Sequence, residues 1–133
     1  MKKEHRLTRK SQYTTVYVRG KSWANDLLVM KALPNELELS RFGFSVSKRV
    51  GKAVVRNRVR RRLRECVRLM PYEPGWDIVF IARSAASNAN YLQINNAMRR
   101  LASRAKLLEQ AQEEHEKDCF KANSIISINL VKV

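Results

Sequence analysis

The sequence predicts an α+β domain in which three helices pack on a small mixed β-sheet. Apolar residues recur at helical spacing in three segments, and short strand-like runs lie between these segments. The resulting order is helix, two strands, helix, strand, helix, which is typical of helices layered on a sheet. The chain has 133 residues, of which 44% are hydrophobic, and this is enough for one compact core.

The first half of the chain contains a predicted helix and two predicted strands. Residues 11–19 have apolar side chains spaced for one helix face and are followed by Gly20, although several β-branched residues disfavour the helix. Residues 27–33 and 37–47 are strand-like, and a short polar turn joins them. We therefore expect these two strands to form a hairpin.

The second helix has an apolar stripe and is otherwise rich in arginine. Six apolar residues recur at helical spacing within a stripe of about 120°, namely Val55, Val59, Leu63, Cys66, Val67 and Met70. Arginine fills most of the remaining surface. Pro71 and the Pro74-Gly75 pair end the helix.

One strand and one helix complete the predicted domain. Residues 76–82 are almost continuously apolar, which predicts an inner strand at the centre of the sheet, covered on both faces. A last helix is expected at about residues 89–110, with an inner stripe of Tyr91, Ile94, Met98, Leu101, Ala105 and Leu108. A change to an acidic composition predicts a domain over residues 1–108 and a C-terminal extension over 109–133, whose residues 125–133 alternate loosely like a strand.

The net charge of +15 and the isoelectric point near 10.5 indicate a polyanionic partner, with nucleic acid as the leading candidate. The charge is concentrated, since residues 48–68 contain ten bases and Glu65 as the single acid. Like charges on one helix repel, and the single negative charge of Glu65 cannot neutralise all of Arg58, Arg61, Arg62 and Arg68. Phosphates match guanidinium geometry, so we expect a phosphate-bearing partner outside the domain to neutralise these arginines. The alternative is that they form a solvated basic face without a specific role.

Several other functions lack support in the sequence. No run approaches the roughly 18 apolar residues of a membrane span and no hydrophobic signal region begins the chain, so we expect a soluble, cytoplasmic protein. Cys66 and Cys119 are expected to be reduced thiols, and neither they nor His5 and His115 have zinc-site spacing. No carboxylate pair is suited to metal-dependent cleavage, and Asp77 is expected to cap a strand or turn.

Tyr13 and Tyr17 stand one helical turn apart and have two possible roles. They can stack on unpaired bases beside the small side chains of Ser45 and Ser47. Alternatively, both rings belong to the hydrophobic core. The sequence leaves this choice open.

Residues 45–65 read SVSKRVGKAVVRNRVRRRLRE, and this run resembles the signature of the bacterial ribonuclease P protein family. Its centre is Arg56-Asn57-Arg58. Arg6-Leu7, the two tyrosines before Gly20 and residues 77–83 agree with the family pattern, so the resemblance covers about residues 7–108. It implies a ribosomal-protein-like two-layer sandwich with a left-handed βαβ crossover, contrary to the usual right-handed rule.

The resemblance also implies a function. The family's RNA subunit hydrolyses the phosphodiester with magnesium, and the protein has no catalytic residue and no cofactor of its own. The implied partners are ribonuclease P RNA and precursor tRNA, with no membrane and no small-molecule substrate. The residues implied to face the RNA subunit are Lys52, Arg56, Asn57, Arg58, Arg60, Arg61 and Arg64. Those implied to line a cleft for the 5′ leader are Tyr13, Tyr17, Val29, Lys31, Ser45, Ser47 and Lys48.

Three other functional classes compete with this interpretation. A ribosomal or other structural RNA-binding protein would bind RNA without changing cleavage of precursor tRNA. A self-sufficient nuclease would cut RNA without an RNA subunit. A DNA-binding regulator would need a recognition helix with more base-reading side chains, and Asn57 alone is weak support for one.

Overall fold

The structure is a computed structural model that describes residues 2–109. It contains three α-helices and four strands, together with the short 3₁₀ turns Lys3–His5 and Ser84–Asn88. In chain order the main elements are α1 (Lys10–Arg19), β1 (Lys21–Ala24), β2 (Leu28–Pro34), β3 (Arg41–Ser45), α2 (Ala53–Leu69), β4 (Trp76–Ala82) and α3 (Tyr91–Arg104). The predicted α+β class, with three helices on a mixed sheet, is confirmed.

The sheet has the strand order β1-β2-β4-β3. Strand β4 is antiparallel to β2 and parallel to β3, and α2 is the crossover between the parallel pair. Ile78, Val79 and Phe80 have no exposed surface, so the prediction of a central strand covered on both faces is confirmed. The left-handed sense of the crossover stays a prediction.

The predicted hairpin between residues 27–33 and 37–47 is wrong, because β4 lies between β2 and β3. The side-chain amide of Asn35 in the turn donates to Asp77 Oδ1 at 2.9 Å, and its backbone N–H donates to Gly75 O at 2.9 Å. Both bonds tie the turn to the start of β4. Only the middle of the sheet buries both faces of an apolar strand, and β4 is the most apolar segment available.

Strand β1 was not predicted from the sequence. It is an edge strand that pairs with β2, and of its four side chains only Trp23 packs against the core. Because the other three are exposed, this strand shows little hydrophobic alternation. Short, polar edge strands of this kind protect a sheet from pairing with other chains.

The two faces of the sheet are covered differently. Helices α2 and α3 cover one face with a large core that includes Leu63, Phe80, Ile94 and Met98. The other face has a smaller cluster in which Leu7 and Val16 of the N-terminal segment cover Val79. The part of this second face beyond α1 is only partly covered and is called here the open face.

Helix α3 is shorter than predicted, since it covers Tyr91–Arg104 instead of residues 89–110. Asn90 caps its start by accepting the Gln93 backbone N–H at 2.9 Å. The helix ends at Arg104, and Lys106 adopts a left-handed φ of 59°, so that Leu108 packs from beyond the helix. Most of the predicted inner stripe is buried, whereas Tyr91 is 37% exposed.

Two predictions concern the ends and surroundings of the domain. The strand-like residues 125–133 and the rest of the predicted extension after Glu109 lie outside the described residues, and the boundary near Leu108 stays a prediction. Within residues 2–109, no helix combines the length and the apolar character needed to cross a membrane.

Candidate nucleic-acid interface

Helix α2 is called here the arginine helix, and its apolar stripe fixes which arginines reach solvent. Val59, Leu63, Cys66 and Val67 are buried against the sheet, as the helical spacing predicted. Lys52 precedes the first turn and is exposed, as are Asn57 and Arg61 on the outward side. The remaining arginines flank the stripe on its two sides.

The flank beside the end of β3, called the β3 flank, consists of Arg56, Arg60 and Arg64 at four-residue intervals. Arg60 donates to the backbone carbonyl of Val46 at 3.5 Å and to the side chain of Asn57 at 3.0 Å. The Nε of Arg56 is buried without a hydrogen-bond partner among residues 2–109, as is that of Arg58, so neither atom is accessible to RNA. Arg64 is exposed, and the guanidinium of Arg60 keeps donors beyond its bonds to Val46 and Asn57. This flank therefore offers several guanidinium N–H groups to a partner.

The opposite flank, called the α3 flank, consists of Arg58 and Arg62. Arg58 donates to the carbonyl of Ser87 at 3.3 Å, and Arg62 donates to that of Ala89 at 2.6 Å. Both carbonyls lie just before α3. Backbone oxygens thus satisfy some N–H groups of these arginines, while no acid among residues 2–109 neutralises their charge.

Arg68 is relieved by the single acid of the helix. Its guanidinium forms an ion pair with Glu65, with Nε 3.3 Å from Oε1. This hydrogen bond lowers the pKa of the Glu65 carboxyl and raises that of Arg68. Arg56, Arg58, Arg60, Arg61, Arg62 and Arg64 form no ion pair with any acid in the described part of the chain.

The open face brings together three of the residues predicted for the leader cleft. The register places Val29, Ile81 and Ser45 in one row across β2, β4 and β3. Lys31 stands in the next row, beside Val79. Residues paired across strands share a face, and the partly buried side chains of Val29, Lys31, Ser45 and Ile81 form a shallow floor beside the fully buried Val79.

The ring of Tyr13 packs directly against Gly43, because Gly43 has no side chain. A Cβ at Gly43 would come within 2.6 Å of the Tyr13 ring. The Tyr13 hydroxyl donates to Leu7 O at 3.4 Å, and burial raises the pKa of this phenol. Tyr17 makes an edge-to-face contact with Tyr13 at 6.4 Å between centroids and is 38% exposed. Tyr13 is therefore partly a core residue, whereas Tyr17 faces outward.

Ser47 and Lys48 connect the open face to the arginine helix. Both are exposed in the turn after β3, where Ser47 O accepts the Val50 N–H at 3.1 Å. Arg60 of the arginine helix donates to the carbonyl of Val46 at 3.5 Å, and Val46 directly follows Ser45 of the open face. The two surfaces predicted from the sequence are thus adjacent and share a border at Arg60.

Comparison with known proteins identifies the family. The family profile named Ribonuclease P matches residues 1–106. The ribonuclease P protein component of Dehalococcoides mccartyi is 46% identical over 114 residues, which cover 86% of this chain and 95% of the relative. That of Clostridium kluyveri is 44% identical, over 77% of this chain and 96% of the relative.

The chain belongs to the ribonuclease P protein family. This confirms the resemblance inferred from residues 45–65. The ribonuclease P protein of Staphylococcus aureus has the same fold, with a TM-score of 0.72, 33% identity and coverage of 79% of this chain and 98% of that one. For the Thermotoga maritima protein the TM-score is 0.67 and the identity 29%, over 74% and 96% of the two chains.

One polar contact of this ribonuclease P fold differs from the sequence prediction. Asp77 was expected to cap a strand or turn, but it lies within β4 and forms a two-point ion pair with Arg41. The distances are 2.8 Å from Nε to Oδ1 and 2.7 Å from Nη2 to Oδ2. An acid inside an apolar run signals a buried partner, because burial without one is costly. The sequence does not say which cation supplies it.

Titratable groups elsewhere in the described domain do not assemble into a site. Among residues 2–109, no three His, Cys, Asp or Glu side chains are close enough to hold one metal ion. Cys66 is a free thiol in the core, and burial raises its pKa to about 11. His5 Nδ1 lies 3.1 Å from the carbonyl oxygen of Ser40. The arginine helix and the open face are therefore the chemically distinctive surfaces.

Proposed function

We propose that this protein is the protein subunit of ribonuclease P and that it binds the catalytic RNA and the 5′ leader of precursor tRNA. The observation that supports this best is the shared border between the arginine helix and the open face at Arg60. A cationic surface suited to phosphates lies beside an aromatic surface suited to unpaired bases. Such a pair can hold a structured RNA and a single strand at the same time.

The arginine helix is the proposed contact with the RNA subunit. Guanidinium groups bind phosphate oxygens through two parallel N–H bonds, and a rigid helix sets the spacing of these groups. The β3 flank and the outward side supply the accessible cations, and Arg58 supplies the N–H groups that Ser87 leaves free. The proposed contact residues are Lys52, Arg56, Asn57, Arg58, Arg60, Arg61 and Arg64.

The open face is the proposed contact with the leader. Small side chains and a partly buried apolar floor allow an extended strand to lie close to the sheet, and Tyr17 offers an exposed ring for stacking. Lys31 and Lys48 provide charge for its phosphates. The proposed leader residues are Tyr13, Tyr17, Val29, Lys31, Ser45, Ser47 and Lys48.

In this proposal the phosphodiester is hydrolysed by the RNA subunit with its bound magnesium. The protein contributes positioning and charge, since its cations reduce the repulsion between two polyanions that must approach each other. Because magnesium screens the same repulsion, the protein matters most when magnesium is scarce.

Reconstitution tests the proposed function. Adding the purified protein to ribonuclease P RNA at low magnesium should restore 5′ cleavage of precursor tRNA, measured as initial rate against protein concentration. Tyr17→Ala should reduce the preference for substrates with a leader over substrates without one, whereas Tyr17→Phe, which retains the ring, should not. Absence of stimulation would contradict the proposal and favour a structural RNA-binding protein. Cleavage without the RNA subunit would instead indicate a nuclease.

A further inference from the structure

The β1 edge of the sheet has a second group of cations that the proposed function does not use. Residues 78–108 contain five bases and no acid. Two of these bases, Arg83 and Arg104, lie near the turn between β1 and β2, and Arg100 stands one helical turn before Arg104. Together with Lys21 of β1, they are called here the second basic face.

Two of these arginines are held in place by the same turn. Arg83 Nη1 donates to the carbonyl of Asn25 at 3.0 Å, and Arg104 Nη1 donates to that of Ala24 at 3.1 Å. Each guanidinium has five N–H donors, so most of its donors remain available. The turn itself is fixed, because the Asn25 side chain donates to Ala97 O of α3 at 3.0 Å.

Lys21 and Arg100 extend this cluster on the same side of the sheet. In a strand, alternate residues share a face, so Lys21 shares the face of Trp23, which packs against the core under α2 and α3. Arg100 lies four residues before Arg104, on the same side of α3. All four cationic side chains belong to exposed residues.

The charge of the second basic face is not balanced within the described domain. Ion pairs in residues 2–109 involve only Glu4, Glu65 and Asp77 as acids. Asp26, the acid of the neighbouring turn, is exposed and is not among them. Four cations with one nearby acid attract an anionic partner.

The second basic face is distinct from the arginine helix. Arg60 of the β3 flank contacts the end of β3, at the opposite edge of the sheet from β1. Three strand spacings separate these edges, which corresponds to about 14 Å. The only aromatic side chain of β1, Trp23, is packed against the core, so this face has charge without a stacking surface. Such a face suits the phosphate backbone of a double helix better than unpaired bases.

We propose that Lys21, Arg83, Arg100 and Arg104 bind the backbone of a double-helical RNA segment, separate from the segment held by the arginine helix. The protein then bridges two elements of its RNA partner. This inference rests on the proposed function, because it takes ribonuclease P RNA as that partner.

A charge-matched pair of variants tests the proposal. Lys21→Gln with Arg100→Gln removes two charges while Arg83 and Arg104 continue to hold the turn. Lys2→Gln with Lys3→Gln removes two charges at the opposite edge, beside β3. Binding to ribonuclease P RNA is measured as a function of salt. The first variant should flatten the log–log slope by about 2 and the second by clearly less. Equal effects of the two variants, or an unchanged slope, would overturn the proposal.

Directed cleavage of the RNA locates the contact. A cutting reagent is tethered to Ser103→Cys, between Arg100 and Arg104, and in a second protein to Val54→Cys on the arginine helix, both with Cys119→Ser. The proposal expects two sets of cuts in different helices of the RNA. Cuts from position 54 alone, or the same cuts from both positions, would overturn it while the proposed function stands. No cuts from either position, together with no stimulation of cleavage, would overturn both.

Discussion

On the β3 flank of the arginine helix, Arg64 is exposed, and Arg60 forms only a long bond to Val46 and a local bond to Asn57. On the α3 flank, Arg58 and Arg62 donate to the backbone carbonyls of Ser87 and Ala89. The residue type is the same on both flanks, and the surroundings differ. The carbonyls come from the segment that leads into α3. The chain beside β3 provides only the Val46 carbonyl, at 3.5 Å.

This difference separates two uses of arginine. A guanidinium bound to a backbone carbonyl links two elements and stabilises the domain, because each N–H bond satisfies a donor and an acceptor together. A guanidinium without such a bond retains its donors for a phosphate. The number of arginines in a helix therefore overstates the number that are free to bind RNA.

The largest expected effect is on RNA binding through the β3 flank. Arg60→Gln with Arg64→Gln removes two accessible cations, and we expect the salt slope for ribonuclease P RNA to flatten by about 2. The affinity near physiological salt should fall by about tenfold or more, measured by fluorescence anisotropy. The thermal midpoint should remain within a few degrees of the wild type. A large loss of stability would show that this flank also supports the domain.

The next effect is on stability through the α3 flank. Arg58→Gln with Arg62→Gln removes the same charge, so it is the matched control for the previous variant. Loss of the bonds to Ser87 and Ala89 should lower the free energy of unfolding by about 1–3 kcal/mol, measured by urea denaturation. The salt slope should change less than for the β3 flank. If both double variants weaken RNA binding equally without loss of stability, the distinction between the flanks is incorrect.

The difference between the flanks also shows what sequence patterns can predict. The apolar stripe of the arginine helix and the central strand β4 follow from local periodicity, and both are confirmed by the burial of Leu63 and Phe80. The partners of Arg58 and Arg62 lie 27–29 residues away, so no local pattern indicates them. The incorrect hairpin prediction has the same cause. A turn signal between two strands does not show whether a third strand, here β4, lies between them in the sheet.

The sequence predicted the residue types of the candidate site but not their spatial arrangement. The motif at residues 45–65 identified the family and the arginine helix. The row of Val29, Ile81 and Ser45 depends on the register of three strands, which the sequence does not give. The partial burial of Tyr13 depends on the absence of a side chain at Gly43, a contact between residues 30 positions apart. Tertiary pairing therefore decides which of the predicted residues meet.

The smallest expected effect concerns Glu65, which forms an ion pair with Arg68. Arg68 lowers the pKa of the Glu65 carboxyl, so the pair stabilises the folded state above the ordinary pKa of 4.5 and loses this effect as the pH falls through the lower folded value. Glu65→Gln should therefore be slightly less stable than the wild type at pH 7, and this difference should shrink below pH 4.5, measured by urea denaturation.

At neutral pH the variant should bind ribonuclease P RNA about two- to fivefold more tightly, because Arg68 gains freedom and one negative charge is removed. Arg68→Gln is the control and should not bind more tightly. If Glu65→Gln binds more weakly, the carboxylate positions Arg68 for phosphate instead of competing with it, and the pair belongs to the RNA-binding surface.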